Sequence, residues 1–216
     1  MRFELTLLLK MEFNEKQIEI LLVAEQLFAE DGFDGTSVRN IAKKATINIA
    51  MISYYFGSKE KLLEALVIYR IGNMRLRLEN LLQENSSPIE KIDKLVVYYI
   101  NKINTNRCIY QIIHFEFTTK KRVLNLNAFT EVKKSNLKLM ESIVKEGQLQ
   151  GVFHQDINTA LLSPIIIGSL VYFHMNRPFY EDLLDLNTDE AYENYIKTSL
   201  TQHIQKTIKA LLVYEK

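Results

Sequence analysis

Apolar residues recur along this chain at intervals of three and four. Short clusters of Gly, Pro, Asn, Asp and Ser interrupt them. That period predicts helices almost throughout. The first helix begins at Asn14, with Gln17 three residues on as a capping pair, and carries Ile18, Leu21, Leu22 and Phe28 at helical spacing. Gly32 falls where a left-handed C-cap belongs, and Phe33 can fold back onto the helix end. A second helix, capped by Thr36 or Ser37, shows Val38, Ile41, Ala42 and Ala45 at i, i+3, i+4 and i+7. It ends near Ala45. A third, short helix runs from Asn48 to about Tyr55, and Ser58 caps a fourth that reaches about Glu84.

The pattern continues beyond Asn85-Ser86-Ser87. Pro88 starts a helix through about Asn104, with Ile89, Ile92, Leu95, Val96, Tyr99 and Ile103 on one face. A segment from Arg107 to Thr118 follows, then a helix from about Asn125 to Glu146, which Gly147 to Gly151 breaks. Ala160 to Met175 reads as a buried helix. A last helix runs from Asp189 to about Tyr214, with Tyr192, Ile196, Ser199, Ile204, Ile208 and Leu211 recurring along it. No internal repeat or low-complexity tract is visible.

Composition narrows the class. The chain has 216 residues, 47% hydrophobic and 25% charged, as expected of one large or two small globular domains. Only seven Gly and three Pro are present, which favours long helices over many tight turns. The single Cys108 excludes an intrachain disulfide and any site needing several thiolates, and it fits a reducing cytoplasm. No apolar run approaches the roughly 20 residues that span a bilayer, so no membrane is expected. Met1 to Lys10 contains Leu7-Leu8-Leu9 but also Glu4, and is too short for a signal peptide core. Residues 1–13 read as an N-terminal extension. A true start at Met11 would leave residues 1–10 outside the native protein.

The two short helices, joined by about three residues (Thr46, Ile47, Asn48), describe a helix-turn-helix. Ile47, Ile52 and Phe56 form the inner edge of the second one. Asn48, Ile49, Met51, Ser53 and one of Tyr54 and Tyr55 form its outer face. A recognition helix needs such an apolar anchor and a free outer face to enter the major groove. The net charge of +1 gives no global basic field, yet Arg39, Lys43, Lys44, Lys59 and Lys61 lie between Thr36 and Lys61 with Glu60 as the only acid. Charge alone fits a solvated face equally well. Lys59, in the first turn behind Ser58, could hold a phosphate together with the free N–H groups there.

These residues resemble the DNA-binding domain of the TetR (tetracycline-repressor) family over roughly Gln17 to Leu66. The resemblance rests on Ala24, Leu27, Phe28, Gly32 and Phe33, then Gly35-Thr36-Ser37, then Ile41-Ala42 and Ala45. Its most specific part is Tyr54-Tyr55-Phe56-Gly57-Ser58-Lys59-Glu60. Two positions depart from the family pattern. Thr46 stands where the family usually has Gly, and Ser53 where it usually has Tyr. The resemblance implies DNA contacts from Ser37, Arg39, Asn48, Ile49, Ala50, Met51, Ser53, Tyr54, Tyr55 and Lys59. Ile49 and Met51, being apolar, could read only thymine methyls or groove shape.

The fold expected is all-α. A helix-turn-helix domain over 14–60 is joined by a long helix to a larger effector-binding and dimerisation domain over 61–216. The resemblance implies a repressor that a small apolar or amphipathic effector releases from a palindromic double-stranded DNA operator, and a homodimer through the last two helices. The fourth helix, running from Lys59 to Met74 and Leu78, would be the hinge. Polar or polarisable groups within apolar stretches are candidates for the effector site. They are Tyr99, Tyr110, His114, Phe117, Asn136, Met140 and His174. No cofactor and no metal is expected. His114-x-Glu116 lacks the downstream Cys pair of a zinc deaminase. An enzyme using His114 and Glu116 as acid and base is one alternative. A helical protein-interaction module with a degenerate helix-turn-helix is the other.

Overall fold

The computed structural model describes residues 13–72, 74–119 and 127–213. Residues 1–12, the bulk of the N-terminal extension, lie outside the described residues. The chain is all-α. Its helices are α1 (Glu15–Gly35), α2 (Val38–Lys44), α3 (Ile49–Phe56), α4 (Lys59–Gly72), α5 (Met74–Gln83), α6 (Pro88–Thr105), α7 (Arg107–Thr119) and α8 (Asn127–Leu149). A 3-10 turn at Thr159–Leu161 leads into α9 (Leu162–Met175), followed by α10 (Arg177–Leu183) and α11 (Asp189–Tyr195). A π turn at Ile196–Leu200 then leads into α12 (Thr201–Leu212). The fourth helix of the sequence reading is helical over both Lys59–Gly72 (α4) and Met74–Gln83 (α5). Asn73 between them lies outside the described residues.

Contacts divide the chain into two compact units. One comprises Met1–Met74 with Asn106–Lys134, the other Arg75–Thr105 with Ser135–Lys216. Periodicity assigns a residue to a helix face but not to a partner. The stretch Asn106–Lys134, which the sequence reading places in the effector domain, groups with the N-terminal helices.

In the first unit, α1 starts on the expected capping box. Asn14 Oδ1 accepts from Gln17 N at 2.9 Å, and Gln17 Oε1 accepts from Asn14 N at 3.0 Å. The backbone leaves helical geometry at Gly32, with φ 72° and ψ 166°. Phe33 turns back beneath the helix and packs on Phe28 with ring centroids 5.1 Å apart. Thr36 is buried, and its hydroxyl donates to the carbonyls of Leu27 (3.0 Å) and Gly32 (2.8 Å). Ser37 is the cap of α2, its Oγ accepting from Asn40 N at 3.1 Å. Ile20, Leu21, Ile41, Ile52, Leu62 and Leu66 meet in one core, joined by Ile109 and Ile112 of α7. Each fully buried aliphatic side chain there contributes roughly 1.5–3 kcal/mol. Glu25, buried on α1, accepts from Arg70 of α4 through Oε2 (Nε 2.9 Å). The net charge sum counts this acid, yet it exposes no field to solvent.

In the second unit, α6 packs against α9 and α12. Its apolar face is as the sequence predicts, with Ile92, Leu95, Val96, Tyr99 and Ile103 buried. Lys91 is buried as well, because its ammonium has three acceptors: both oxygens of Glu146 (2.9 and 2.8 Å) and the Leu82 carbonyl (3.0 Å). Helix α8 runs through Gly147 to Leu149 rather than breaking there, and the turn comes at Gly151, φ 69°. Helix α9 buries Leu162, Ile166, Leu170 and Phe173, while Tyr172 and Met175 stay exposed. It is therefore a one-sided helix, not the buried one its composition suggests.

The last helix departs from the expected face. Tyr192, Ile196, Ile204 and Ile208 are buried, but Ser199 is exposed and Leu211 half exposed. Thr201 and Leu212 take the inward positions. The π turn carries an extra residue per turn and shifts the inward stripe by one place. A strict 3.6 period cannot show that.

Candidate nucleic-acid interface

Helix α3 is held from below and left open above. Ile52 and Phe56 are buried in the core of the first unit, and Ile47 and Tyr55 pack against that core. Ile49, Ala50, Ser53 and Tyr54 are exposed, Tyr54 at 83%, and Met51 is half-buried at their edge. Of the two tyrosines, Tyr55 is thus the inward one and Tyr54 the outward one. Their rings meet edge to face at 5.2 Å. The start of the helix is fixed by Asn48, whose Oδ1 accepts from Ala50 N at 2.8 Å. Gly57, φ 82°, ends it, donating its N–H to the Ser53 carbonyl at 2.9 Å.

The turn between α2 and α3 is a Schellman motif. Ile47 N donates to the Ala42 carbonyl (3.0 Å) and Thr46 N to the Lys43 carbonyl (3.2 Å). That geometry needs a left-handed residue at Thr46, which has φ 53°. The departure noted at this position is therefore a threonine in a conformation that favours glycine.

Around α3, Arg39, Lys43, Lys44 and Lys61 are exposed. Lys44 comes within 3.7 Å of Glu30. Lys59 does not belong to this set. Its ammonium donates to the carbonyls of Phe33 (2.9 Å) and Thr36 (2.8 Å) and lies 4.1 Å above the centroid of the Phe33 ring. Where the sequence reading expects a phosphate clamp, Lys59 ties the α1–α2 junction to the start of α4. Ser37 and Asn48 likewise have cap duties, although both are exposed. The sequence counted Lys43, Lys44 and Lys61 as local charge without naming them as contacts. All three are exposed, and α2 and α4, which carry them, pack against α3.

The seven effector candidates fall in both units. Tyr110, His114 and Phe117 lie on α7 in the first. Tyr110 is half-buried against the core, and His114 and Phe117 are exposed. Tyr99, Asn136, Met140 and His174 lie in the second. There the Tyr99 hydroxyl is 3.2 Å from Ser163 Oγ, which is 3.8 Å from the Met140 sulfur. Burial raises the Tyr99 phenol above its ordinary pKa, and the Ser163 hydrogen bond opposes that in part. Ser163, a hydroxyl inside an apolar helix, was the sequence signal for this cluster. Asn136 Oδ1 is buried with no hydrogen-bond partner among the described residues. His174 Nδ1 is 3.2 Å from the Tyr192 hydroxyl within an aromatic stack. A surface groove of about 290 Å³ in this unit is lined by Arg77, Asp93, Lys94, Val97, Tyr98, Asn101 and Gln205, none of them among the seven.

The two residues of the acid–base alternative differ in exposure. His114 is exposed and Glu116 buried on the same helix, as i and i+2 must be when one side faces the core.

Comparison with known proteins agrees with this geometry. Residues 20–66 match the model "Bacterial regulatory proteins, tetR family", and residues 69–188 match "YsiA-like protein, C-terminal region". The HTH-type transcriptional repressor NicS of Pseudomonas putida is 29% identical over 164 residues, covering 72% of this chain and 73% of that protein. The structure of the regulator FadR from Bacillus subtilis, in complex with stearoyl-CoA, superposes with a TM-score of 0.69 at 20% identity, covering 88% of this chain and 96% of that one. The ketosteroid regulator KstR2 of Mycobacterium tuberculosis does so at 0.62 and 18% identity, covering 94% and 98%. With α3 carried outward on a helix-turn-helix and both family models matched along the chain, the protein belongs to the tetR family of bacterial regulatory proteins and is a DNA-binding regulator of transcription.

Proposed function

We propose that the protein acts in the cytoplasm as a homodimer on a palindromic operator, and that a small apolar or amphipathic molecule bound in the second unit releases it. The observation that carries the reading is the open face of α3, formed by Ile49, Ala50, Ser53 and Tyr54 above the buried Ile52 and Phe56. Arg39, Lys43, Lys44 and Lys61 supply the phosphate contacts that set the register on the duplex. Two such helices spaced about one duplex turn, roughly 34 Å, require a two-fold dimer.

The dimer surface is supported by exposed apolar side chains of the second unit. Tyr172 and Met175 on α9, Phe179 and Leu183 on α10, and Leu211 on α12 are each between 49% and 61% exposed. The effector is supported by the cluster of buried Tyr99 and Met140 with half-buried Ser163, and by Asn136, whose buried oxygen has no partner among the described residues. Those groups fit a ligand with an apolar body and at least one donor. The first class to try is an acyl thioester, since FadR, which shares the fold, was solved with stearoyl-CoA.

Selection of duplexes from a random pool by the full-length protein tests the reading. The expected result is a palindrome whose binding weakens steeply with salt. A long-chain acyl thioester should lower the affinity between 5- and 150-fold, for a coupling of about 1–3 kcal/mol. Failure to enrich any sequence at low salt would overturn the reading and favour a protein-docking module.

A further inference from the structure

We propose that the recognition helix selects its half-site through the 5-methyl groups of thymine, with Ile49 as the main seat and Met51 at its flank. The inference rests on the operator-binding role above and names the chemistry of the DNA it takes.

The argument starts from what the helix lacks. No residue from Ala45 to Ser58 carries a charge. The commonest specific contact in the major groove, a bidentate pair from Arg or Lys to guanine O6 and N7, is therefore not available to α3. Reading of cytosine N4 by a carboxylate is excluded for the same reason. The nearest cations do not fill the gap. Lys59 is tied to the Phe33 and Thr36 carbonyls. Arg39, Lys43 and Lys44 belong to α2, and Lys61 to α4.

The remaining polar groups of the outer face are few. Asn48 has its side-chain oxygen engaged on Ala50 N as the helix cap, which ties down one of the two groups an amide pair with adenine needs. Ser53 and Tyr54 offer single hydroxyls that phosphate or base can accept from alike. What the first turn does present is Ile49, 39% exposed on a helix whose other large aliphatic, Ile52, is fully buried, beside the methyl of Ala50. Leaving that part of Ile49 in water is unfavourable, and among the described residues 39% of it stays uncovered. The one apolar feature of base edges in the major groove is the thymine methyl. The N-terminal residues of the recognition helix are those that meet base edges.

The test replaces individual thymines in a selected half-site by deoxyuridine, which removes the methyl and keeps every Watson–Crick group. Affinity of the full-length protein is measured on each duplex, for the wild type and for an Ile49→Ala, Met51→Ala double variant. Each seated methyl is expected to contribute about fourfold in affinity, from the usual transfer energy of one buried carbon. The double variant should bind thymine and uracil duplexes within twofold of each other, while keeping the wild-type melting temperature, since neither side chain is in the core. The proposal is overturned if wild-type affinity ignores the substitution at every thymine. It is equally overturned if the double variant keeps the full discrimination, because another group then reads the methyl. Either result would leave operator binding intact. Loss of all sequence-selective binding by the wild type would instead sink the operator reading itself, and this inference with it.

Discussion

The ammonium of Lys59 lies over the ring of Phe33, 4.1 Å from its centroid, and donates to the Phe33 carbonyl at 2.9 Å. The two residues are 26 positions apart. Phe33 closes the end of α1 and Lys59 opens α4, so this contact fixes the frame in which α2 and α3 are held. The Phe33 and Thr36 carbonyls lie past the helical part of α1, beyond the break at Gly32. Lys59→Ala should therefore destabilise the protein by about 2 kcal/mol, the range for hydrogen bonds to a charged group. By contrast, Lys43→Ala should leave the melting temperature unchanged and reduce the salt slope of operator binding by about one unit. Thermal melts and salt titrations of the two variants check this. A Lys59→Ala protein with unchanged stability and a reduced salt slope would restore the phosphate role.

The adjacent tyrosines should separate cleanly in the same assays. Tyr54 is 83% exposed and Tyr55 packs on the core. Tyr54→Ala is expected to lower operator affinity about tenfold, the worth of one good hydrogen bond to a charged group, with stability unchanged within about 0.5 kcal/mol. Tyr55→Ala should lower stability by about 2–3 kcal/mol through a core cavity. Binding isotherms set beside denaturant melts distinguish the two.

Thr46 sits at φ 53° in the Schellman turn before α3. A β-branched residue there is strained by roughly 1–2 kcal/mol, and glycine returns part of that as unfolded-chain entropy. Thr46→Gly should thus stabilise the protein by about 1 kcal/mol. The melting temperature rises by a few degrees if unfolding is two-state. Calorimetry is the appropriate measurement, and a lower melting temperature would show that the turn has another constraint.

Gly147 is required by a close approach rather than by its backbone angle. A Cβ there would run into the Phe153 ring, and Phe153 is itself buried. Gly147→Ala should destabilise by at least about 2 kcal/mol, in the range of overpacking. Phe153→Leu in the same chain should recover part of the loss. The double-mutant cycle, read by chemical denaturation, is expected to be non-additive for that reason.

Much of the reading head was legible from residues alone. Local rules operate within a few positions, so the Asn14–Gln17 cap, the inward Ile52 and Phe56 and the face of α6 follow from spacing and side-chain chemistry. The anchor of α3 and its open face were visible for that reason, and so was the unusual Thr46. Three things were not. The role of Lys59 depends on two carbonyls more than 20 residues away. The inward stripe of the last helix depends on a π turn that no periodicity encodes. The seven effector candidates were chosen for being polar or polarisable in apolar surroundings, a property shared by groups in both units.

The sequence by itself determined the helices, their caps and the charge-free recognition segment, because hydrogen bonds within a helix and the helical period act on neighbours. Only the tertiary structure decided which cation is exposed and which is tied down, which tyrosine faces out, and that Asn106–Lys134 joins the N-terminal helices. Those outcomes depend on which distant surfaces exclude water together, and burial of that kind has no signature in local spacing.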